Sequence, residues 1–259
     1  MALGNSPVLS IELAIGQQMG QFYQQISADT TLLQEFVTRG LAKSIVWVPA
    51  RMIDSVEEML AEWRASQSNH DRARASATLP VMMVALAKDF ETADAQWGRA
   101  VTEALPFVHE TDPLRRMYKL RTTLEMQRMQ VVVMAQESHS ARSLASQFAL
   151  FCQSHSGRCF THQKQHAGCV MDFPVQLADM NLGVVDTAVE QKNLTILTID
   201  LRWLITNPFV QAPGAGQAND GQAAPAGYPV VQEVSSQNQT SRMHSQSTMA
   251  EHAKTQYQL

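Results

Sequence analysis

Alternating and unbroken apolar runs in the middle of the chain predict β-strands. In RRMYKLRTT, residues 115–123, Tyr118 and Leu120 alternate with Lys119 and Arg121, as expected for a strand with one buried face. MQVVVMAQ, residues 129–136, is β-branched or apolar almost throughout and fits a central strand. LPVMMVAL, residues 79–86, has the length and flanks of another buried strand. These runs predict a sheet built from the centre of the chain.

Further strands are predicted on both sides of this region. SIVWVPA, residues 44–50, is β-branched and stops at Pro49, which indicates a short strand or an extended connector. MDFPVQLAD (171–179), VVDTAVEQ (184–191) and NLTILTIDLRWLI (193–205) also have strand character. EQKN, residues 190–193, is a good hairpin turn before the last of them. In that last strand one face is apolar and consists of Leu197, Ile199, Leu201 and Trp203.

Two stretches have the spacing of amphipathic helices. In ESHSARSLASQFALFCQ, residues 137–153, Leu144, Phe148 and Phe151 mark one face, and Ser138 or Ser140 could cap the start. In ARMIDSVEEMLAEWRAS, residues 50–66, the apolar stripe is Val56, Met59, Leu60 and Trp63. Residues 9–75 as a whole are predicted to be mainly helical.

Together these elements predict an α+β fold. We expect a mixed, mostly antiparallel sheet of about five strands with packed helices and an N-terminal helical part. Residues 1–78 form the mainly helical region and residues 79–210 the α+β domain. Residues 211–259 are rich in Gln, Ala, Ser, Gly and Pro and predict a flexible, disordered C-terminal tail, or an arm that orders against a partner subunit.

Composition and charge exclude several classes of protein. With 259 residues and 45% hydrophobic content, the chain can bury a sizeable core without disulfides. Its N-terminus lacks the basic and apolar pattern of a secretory signal, and its three cysteines are an odd number, so we expect synthesis in a reducing cytosol. The longest apolar runs are far shorter than the roughly 20 residues of a membrane-spanning helix. A net charge of −4 argues against tight nucleic-acid binding. The 17% of charged residues suits a subunit that buries much of its surface against neighbours.

One segment, CQSHSGRCFTHQKQHAGC, holds all three cysteines of the chain and three of its eight histidines. Zinc sites usually take their ligands from two close pairs such as CxxC or HxxxH. HQKQH, residues 162–166, would place both imidazoles on one face of a helix, but no CxxC is present, and FTHQKQ also has the pattern of a strand. We interpret the segment as structural; if it did bind a metal, the candidate ligands are Cys152, His155, Cys159, His162, His166 and Cys169.

Other catalytic motifs are absent from the sequence. ESHSARS, residues 137–143, lacks the GxSxG turn of serine hydrolases, and neither GxGxxG nor GxxxxGK[ST] occurs. We therefore predict no enzymatic activity, no catalytic residues and no cofactor. The most basic stretch offers an interaction surface for an acidic neighbour; its candidate interface residues are Arg115, Arg116, Arg121 and Arg128.

The order of these elements resembles that of tail terminator, or tail completion, proteins in the neck of tailed bacteriophages. The resemblance rests on LPVMMVAL, DPLRRMYKLRTT, MQVVVMAQESHSARSLASQFALF, VQLADM and VVDTAVEQKNLTILTIDLRWLI. It covers roughly residues 79–209 and involves element order rather than a fixed motif. In such proteins a mixed sheet carries one or two helices.

The resemblance implies a structural virion protein of the phage neck. Such proteins form homo-oligomeric rings, commonly hexamers, that cap the tail tube and join the tail to the head connector. Partners would be the tail tube protein, the sheath protein if the tail is contractile, and the head-tail connector; DNA would pass through the lumen without specific binding. Alternatives are another neck, collar or baseplate adaptor, a metal-binding protein that uses residues 152–169, and a monomeric binding module.

Overall fold

A computed structural model of the chain describes residues 7–59, 61, 79–93, 101–166, 169–188, 194–215 and 220–221. These residues belong to two units. The first lies within Met1–Asp94 and Thr123–Asn207, and the second within Ala95–Thr122 and Pro208–Leu259. The division into three regions stays a prediction, since residues 62–78 and 222–259 lie outside the described ranges. The second of these segments is most of the predicted tail. The predicted turn at residues 190–193 also lies outside the described ranges.

The longer helices form where apolar residues recur every three or four positions. The described ranges contain α1 (Pro7–Gln24), α2 (Thr31–Thr38), α3 (Leu41–Ser44), α4 (Ser138–Gln153) and α5 (His155–Arg158), besides helical residues at 56–59 and 61. α4 confirms the helix predicted from the Leu144, Phe148 and Phe151 stripe, and all three of these side chains are buried.

The serine cap predicted for α4 is wrong. The residue before the helix is Glu137, and its side chain makes no capping hydrogen bond. The Ser140 hydroxyl lies 3.0 Å from Thr30 Oγ1 instead. This hydroxyl pair joins α4 to the residue that caps α2, because Thr30 Oγ1 accepts a hydrogen bond from the backbone N–H of Leu33.

The helix predicted from residue 50 onward begins differently. A 3₁₀ helix spans Ala50–Met52, and residues 56–59 and 61 are helical. Asp54 separates them with a left-handed backbone, φ 69°, which an aspartate adopts more readily than most residues. Val56 and Met59 are buried as predicted; the side chains of Leu60 and Trp63 lie outside the described residues.

The strands join in one sheet of the predicted class, which is mixed and mostly antiparallel. Its path runs β1-β2-β4-β8-β6-β5, with β3 paired to β4 and β7 paired to β8. β1 and β2 are parallel, and the pairs β2–β4, β3–β4, β5–β6, β6–β8 and β7–β8 are antiparallel. The strands are β1 (Ile45–Trp47), β2 (Val81–Thr92), β3 (Val101–Val108), β4 (Met117–Ala135), β5 (Cys159–His166), β6 (Cys169–Leu177), β7 (Val184–Asp186) and β8 (Thr195–Gln211).

The described residues therefore contain eight strands where about five were predicted. Two of the predicted strands are one: residues 115–123 and 129–136 both fall in the 19-residue β4. The polar residues between them, such as Gln127, do not end the strand because β2 hydrogen-bonds to this part of β4. β3 was not predicted, because VTEALPFV contains Pro106.

The first unit has two apolar layers, one on each face of the sheet. On one face α1, α2 and α4 pack on alternate residues of β2, β4, β6 and β8, including Ile199, Leu201 and Trp203. This confirms the apolar face predicted for the last strand. On the other face, residues 48–59 cover a smaller cluster that contains Met83, Val132 and Ile196. The central strands are thus buried on both sides.

Candidate interaction surfaces

The cysteine and histidine segment is divided among four elements. Cys152 ends the buried face of α4, His155 opens α5, Cys159 begins β5, and Cys169 begins β6. All three cysteines are free. Burial raises the pKa of the Cys152 thiol to about 12, so this group is protonated at neutral pH and is a poor metal ligand. Among the described residues, no group of three His, Cys, Asp or Glu side chains is arranged to hold a metal ion.

HQKQH is a strand and not a helix, so the helical alternative for this motif is wrong. His162 and His166 both lie on β5. The backbone alternates, which buries His162 and exposes Gln163.

His162 joins α1 to the sheet. Its Nε2 lies 2.8 Å from the carbonyl oxygen of Thr206 in β8, and its Nδ1 lies 3.2 Å from the Ser10 hydroxyl in α1. The carbonyl can only accept, so Nε2 carries the proton and neutral Nδ1 accepts from Ser10. Burial lowers the pKa of His162. The neutral ring is therefore the form that the folded chain prefers.

Replacing His162 with glutamine is expected to make stability less sensitive to mild acid. The lowered pKa means that the unfolded chain binds the His162 proton more readily than the folded chain does. This contribution is complete above the usual histidine pKa of about 6.5 and is lost as pH falls below it. Thermal melts at pH 7.5 and pH 5.5 should show a smaller fall in Tm for H162Q than for the unmodified chain. An equal fall in both would contradict a buried neutral imidazole.

Arg128, one of the candidate interface residues, is held by carboxylates of its own chain. Its Nη2 lies 2.6 Å from Asp54 Oδ1 and 2.9 Å from Asp200 Oδ1. The hydrogen bonds that Arg128 donates to the Asp54 carboxylate raise the pKa of Arg128 and lower the pKa of Asp54. Gln130 Oε1 accepts from the backbone N–H of Asp54 and so fixes the same turn. Arg128 therefore binds two carboxylates of its own chain.

Arg116, a second candidate, is bound to the buried carboxylate of Asp112. Its Nε and Nη2 donate to Asp112 Oδ2 and Oδ1 at 2.9 and 3.0 Å. The Tyr118 hydroxyl and the backbone N–H groups of Leu114 and Arg116 also donate to this carboxylate. These bonds, from Arg116 first, hold the pKa of Asp112 well below its usual range. The turn between β3 and β4 is therefore built around a satisfied buried charge.

The same turn presents an exposed leucine together with charges of both signs, at Glu110 and Arg115. Leu114 is 54% exposed, and Arg115, with φ 49°, is also exposed. Farther along β4, Lys119 and Arg121 are exposed. Of the four candidate arginines, the structure therefore leaves Arg115 and Arg121 at the surface and pairs Arg116 and Arg128 with aspartates. We call residues 109–116 the hairpin turn.

A cleft of about 700 Å³ lies at the β1 edge of the first unit. Its apolar lining residues include Trp47, which is 39% exposed, and Leu86 of β2. Arg51 and Lys88 also line it. Its other lining residues include Glu12, Val48, Pro49 and Asp89.

Sequence reasoning named Arg115 and Arg116 of the hairpin turn as interface candidates but did not identify the turn itself, and it missed the cleft. The hairpin turn has a local signal in TDPL, because Asp followed by Pro is typical of turns. That signal does not reveal that Tyr118 and Arg116 fold back onto Asp112. The cleft has no sequence signal, since it forms between residues of α1 and residues near β1 and β2 that are far apart in the chain.

The chain matches no protein-family model, and no curated protein matches it. None of the described helices is long and apolar enough to span a membrane.

Proposed function

We propose that this chain is a structural protein of a tailed-phage virion that forms a ring in the neck. The ring would cap the tail tube, end its growth and offer a surface to the head connector. The proposal extends the resemblance in element order over roughly residues 79–209. It assigns no reaction and no cofactor to the chain.

The observation that carries the proposal is the fold class. A mixed, mostly antiparallel sheet with helices packed on it is the arrangement that the resemblance implies, and the described residues have this arrangement. Fold class alone is shared by proteins of many functions. It supports the proposal here because β2, β4, α4, β6, β7 and β8, which contain the segments on which the resemblance rests, follow one another along the chain, with β3, α5 and β5 in addition.

The use of the polar side chains also supports a structural role. Two of the residues that could carry chemistry in the segment 152–169 are engaged in packing: Cys152 is a buried thiol, and His162 joins α1 to β8. Two internal ion pairs hold turns, at Asp112 and at Asp54. Such groups stabilise a rigid subunit.

A ring needs two different surfaces on each subunit, one for each neighbour, because head-to-tail contacts close only through such heterologous pairs. The chain offers two unlike surfaces. One is the hairpin turn with its exposed leucine, and the other is the cleft, which is lined by a tryptophan and by charged residues of both signs. The low fraction of charged residues, 17%, suits a subunit with extensive contacts.

Native mass spectrometry together with a tube-growth assay tests the proposal. We expect a closed ring of about six subunits without bound metal at micromolar concentration. Added to growing tubes of the tail tube protein from the same virus, the ring should bind the tube end and shorten the final length distribution. Electron microscopy of negatively stained samples measures both ring and tube.

Two results would contradict the proposal. Tubes that grow to the same length with and without the protein, and that carry no added density at their ends, would remove the capping role. A stoichiometric zinc-sized mass increment that is lost in Cys159→Ser or His162→Ala would favour the metal-binding alternative.

A further inference from the structure

We propose that β5 is a self-association edge: the β5 strands of two copies pair antiparallel across a two-fold axis at His162. In this register Thr161 of one copy lies opposite Gln163 of the other, and Cys159 lies opposite Gln165. The contact is isologous and does not depend on the heterologous contacts of a ring, so it goes beyond the proposed function. At higher protein concentrations it would join two rings.

β5 is an edge strand with an open outer side. In the part of the chain that the structure describes, it ends the path of the sheet and pairs with β6 alone. His166 pairs with Cys169, with two residues between them, and such a closing pair exchanges both of its backbone hydrogen bonds. Bonding alternates along a strand, so the backbone groups of Thr161, Gln163 and Gln165 point away from β6. All three residues are exposed.

β5 lacks the features that natural proteins use to protect an edge strand. Its pairing with β6 runs from Cys159 to His166 without a register shift, so no bulge twists the edge away. The strand contains no proline, and Lys164 is its one charged residue. The exposed threonine and glutamine side chains can both donate and accept hydrogen bonds. Such an edge favours the addition of another strand.

The surroundings of β5 are neutral over a wide area. α1 lies beside the strand, to which its Ser10 is hydrogen-bonded. Residues 13–28, between Glu12 and Asp29, contain no Asp, Glu, Lys or Arg, and neither do residues 143–157, which lead from α4 into α5. In a chain with 17% charged residues, the two stretches next to β5 are therefore distinctly poor in charge.

This neutrality favours a second copy of the chain as the partner. Near a two-fold axis each residue lies close to its own counterpart, so a charged residue there meets a like charge. A different protein could offer opposite charges, whereas a second copy cannot. Two chains with a net charge of −4 each also repel one another over most of their surfaces. The neutral edge is where this repulsion is weakest.

Few charged residues lie on or next to the edge. Lys164 is on β5 itself, and Asp172 of β6 pairs with Gln163. Arg158, which ends α5, donates to the carbonyl oxygen of Asp179 in its own chain. Lys164 is therefore the charge that a second β5 strand would meet first, and its position selects the register.

The distance between the two lysines is largest with the axis at His162. An axis at Lys164 would place the lysines directly opposite each other, and an axis at Gln163 would place them on a diagonal of about 7–8 Å. With the axis at His162, each Lys164 lies opposite Phe160 of the other copy. Like charges facing each other across two strands are destabilising, which favours this register.

Disulfide trapping with a native cysteine tests the contact. Gln165→Cys places a thiol opposite Cys159 of the other copy. Facing residues of a hydrogen-bonded antiparallel pair have Cα atoms about 5.5 Å apart, which a disulfide can bridge. Treatment of the full-length Q165C chain with oxidised glutathione should therefore give covalent dimers in which Cys159 is joined to position 165. Adding Cys159→Ser to the same chain should abolish them.

Gln163→Cys is the matched control. Position 163 lies opposite Thr161 of the other copy, so the second position 163 and Cys159 are both diagonal neighbours, about 7–8 Å away and too far for a disulfide. Q163C should stay uncrosslinked alone and form dimers when it is mixed with Thr161→Cys. Dimers from Q163C alone, or none from Q165C, would overturn the proposal.

Gln163→Pro tests the same edge without a crosslink. The Gln163 N–H points away from β6, so proline removes a hydrogen bond of the outer edge and leaves the pairing with β6 intact. We expect the dissociation constant of the dimer to rise at least tenfold in sedimentation velocity, with Gln163→Thr as the control that keeps the N–H. Thermal melts establish that both variants fold. Equal dissociation constants for Q163P and Q163T would contradict the pairing.

These outcomes are separable from those of the proposed function. Rings that cap tubes, formed by a chain whose Q165C variant gives no dimers, would refute the β5 contact and leave the proposed function standing. Dimers joined through Cys159 and position 165, in a protein that forms no ring and caps no tube, would do the reverse.

Discussion

Replacing Asp112 with alanine is expected to reduce the stability of the β3–β4 hairpin by about 3 kcal/mol. The carboxylate is fully buried, and its removal takes away the acceptor to which the Tyr118 hydroxyl and two backbone N–H groups donate. Hydrogen exchange measures the effect locally. The amide protons of Leu114 and Arg116 should exchange about 100-fold faster in D112A, since each 1.4 kcal/mol corresponds to a factor of ten.

Asp112→Asn is the matched variant that separates charge from shape. The carboxylate pKa is held well below its usual range by Arg116 and the other donors, so its stabilising effect is present above the unfolded pKa of about 3.9. That effect is lost as pH falls below this value toward the folded pKa. The stability difference between the unmodified chain and D112N should therefore be largest near pH 7 and shrink below pH 4. A difference that is constant with pH would contradict the ionised, hydrogen-bonded carboxylate.

Replacing Phe148 with alanine is expected to destabilise the first unit by about 3–5 kcal/mol. The side chain is 1% exposed and packs edge-on against Phe22, with ring centroids 5.1 Å apart. Its removal leaves a cavity between α1, α4 and the sheet. Urea denaturation, followed by the fluorescence of the buried Trp203, measures the change as a lower transition midpoint.

Leu150→Ala is the control for this prediction, because Leu150 lies on the same helix but is 69% exposed. Its effect should stay within about 0.5 kcal/mol. A double-mutant cycle with Phe22→Ala should show a coupling of about 0.5–1.5 kcal/mol between the two rings. Strict additivity of F22A and F148A would mean that the ring contact itself contributes nothing.

The fold could be predicted where burial has a simple period. β8 and the helix α4 were identified because apolar residues recur at spacings of two or of three and four, and β2 was identified as an unbroken apolar run of strand length. β1 and β7 have three residues each and lie within the segments 44–50 and 184–191, which were predicted to have strand character. β1 pairs with β2, and β7 pairs with β8. No local sequence pattern predicts which strands pair.

The candidate interaction surfaces were predicted only in part, because contacts between residues far apart in the chain decide which arginines stay exposed. The basic character of residues 115–128 is visible in the sequence, and Arg115 and Arg121 are indeed at the surface. The pairing of Arg128 with Asp54 and Asp200 joins residues more than 70 positions apart. A charge count along the chain cannot separate an arginine that is bound internally from one that faces a partner.

The attachment of α1 affects how the chain is made. Ser10 of α1 hydrogen-bonds to His162, which lies 152 residues downstream. Gln18 of α1 donates to the carbonyl oxygen of Ser156, which lies 138 residues downstream. At a synthesis rate of about 5–20 residues per second, α1 waits for about 8–30 s before β5 leaves the ribosome. During that time Ile11, Ile15, Met19 and Phe22, all buried in the finished protein, lack the completed sheet on which they pack. The speed of translation through β4 and α4 therefore determines how long the apolar face of α1 waits for β5.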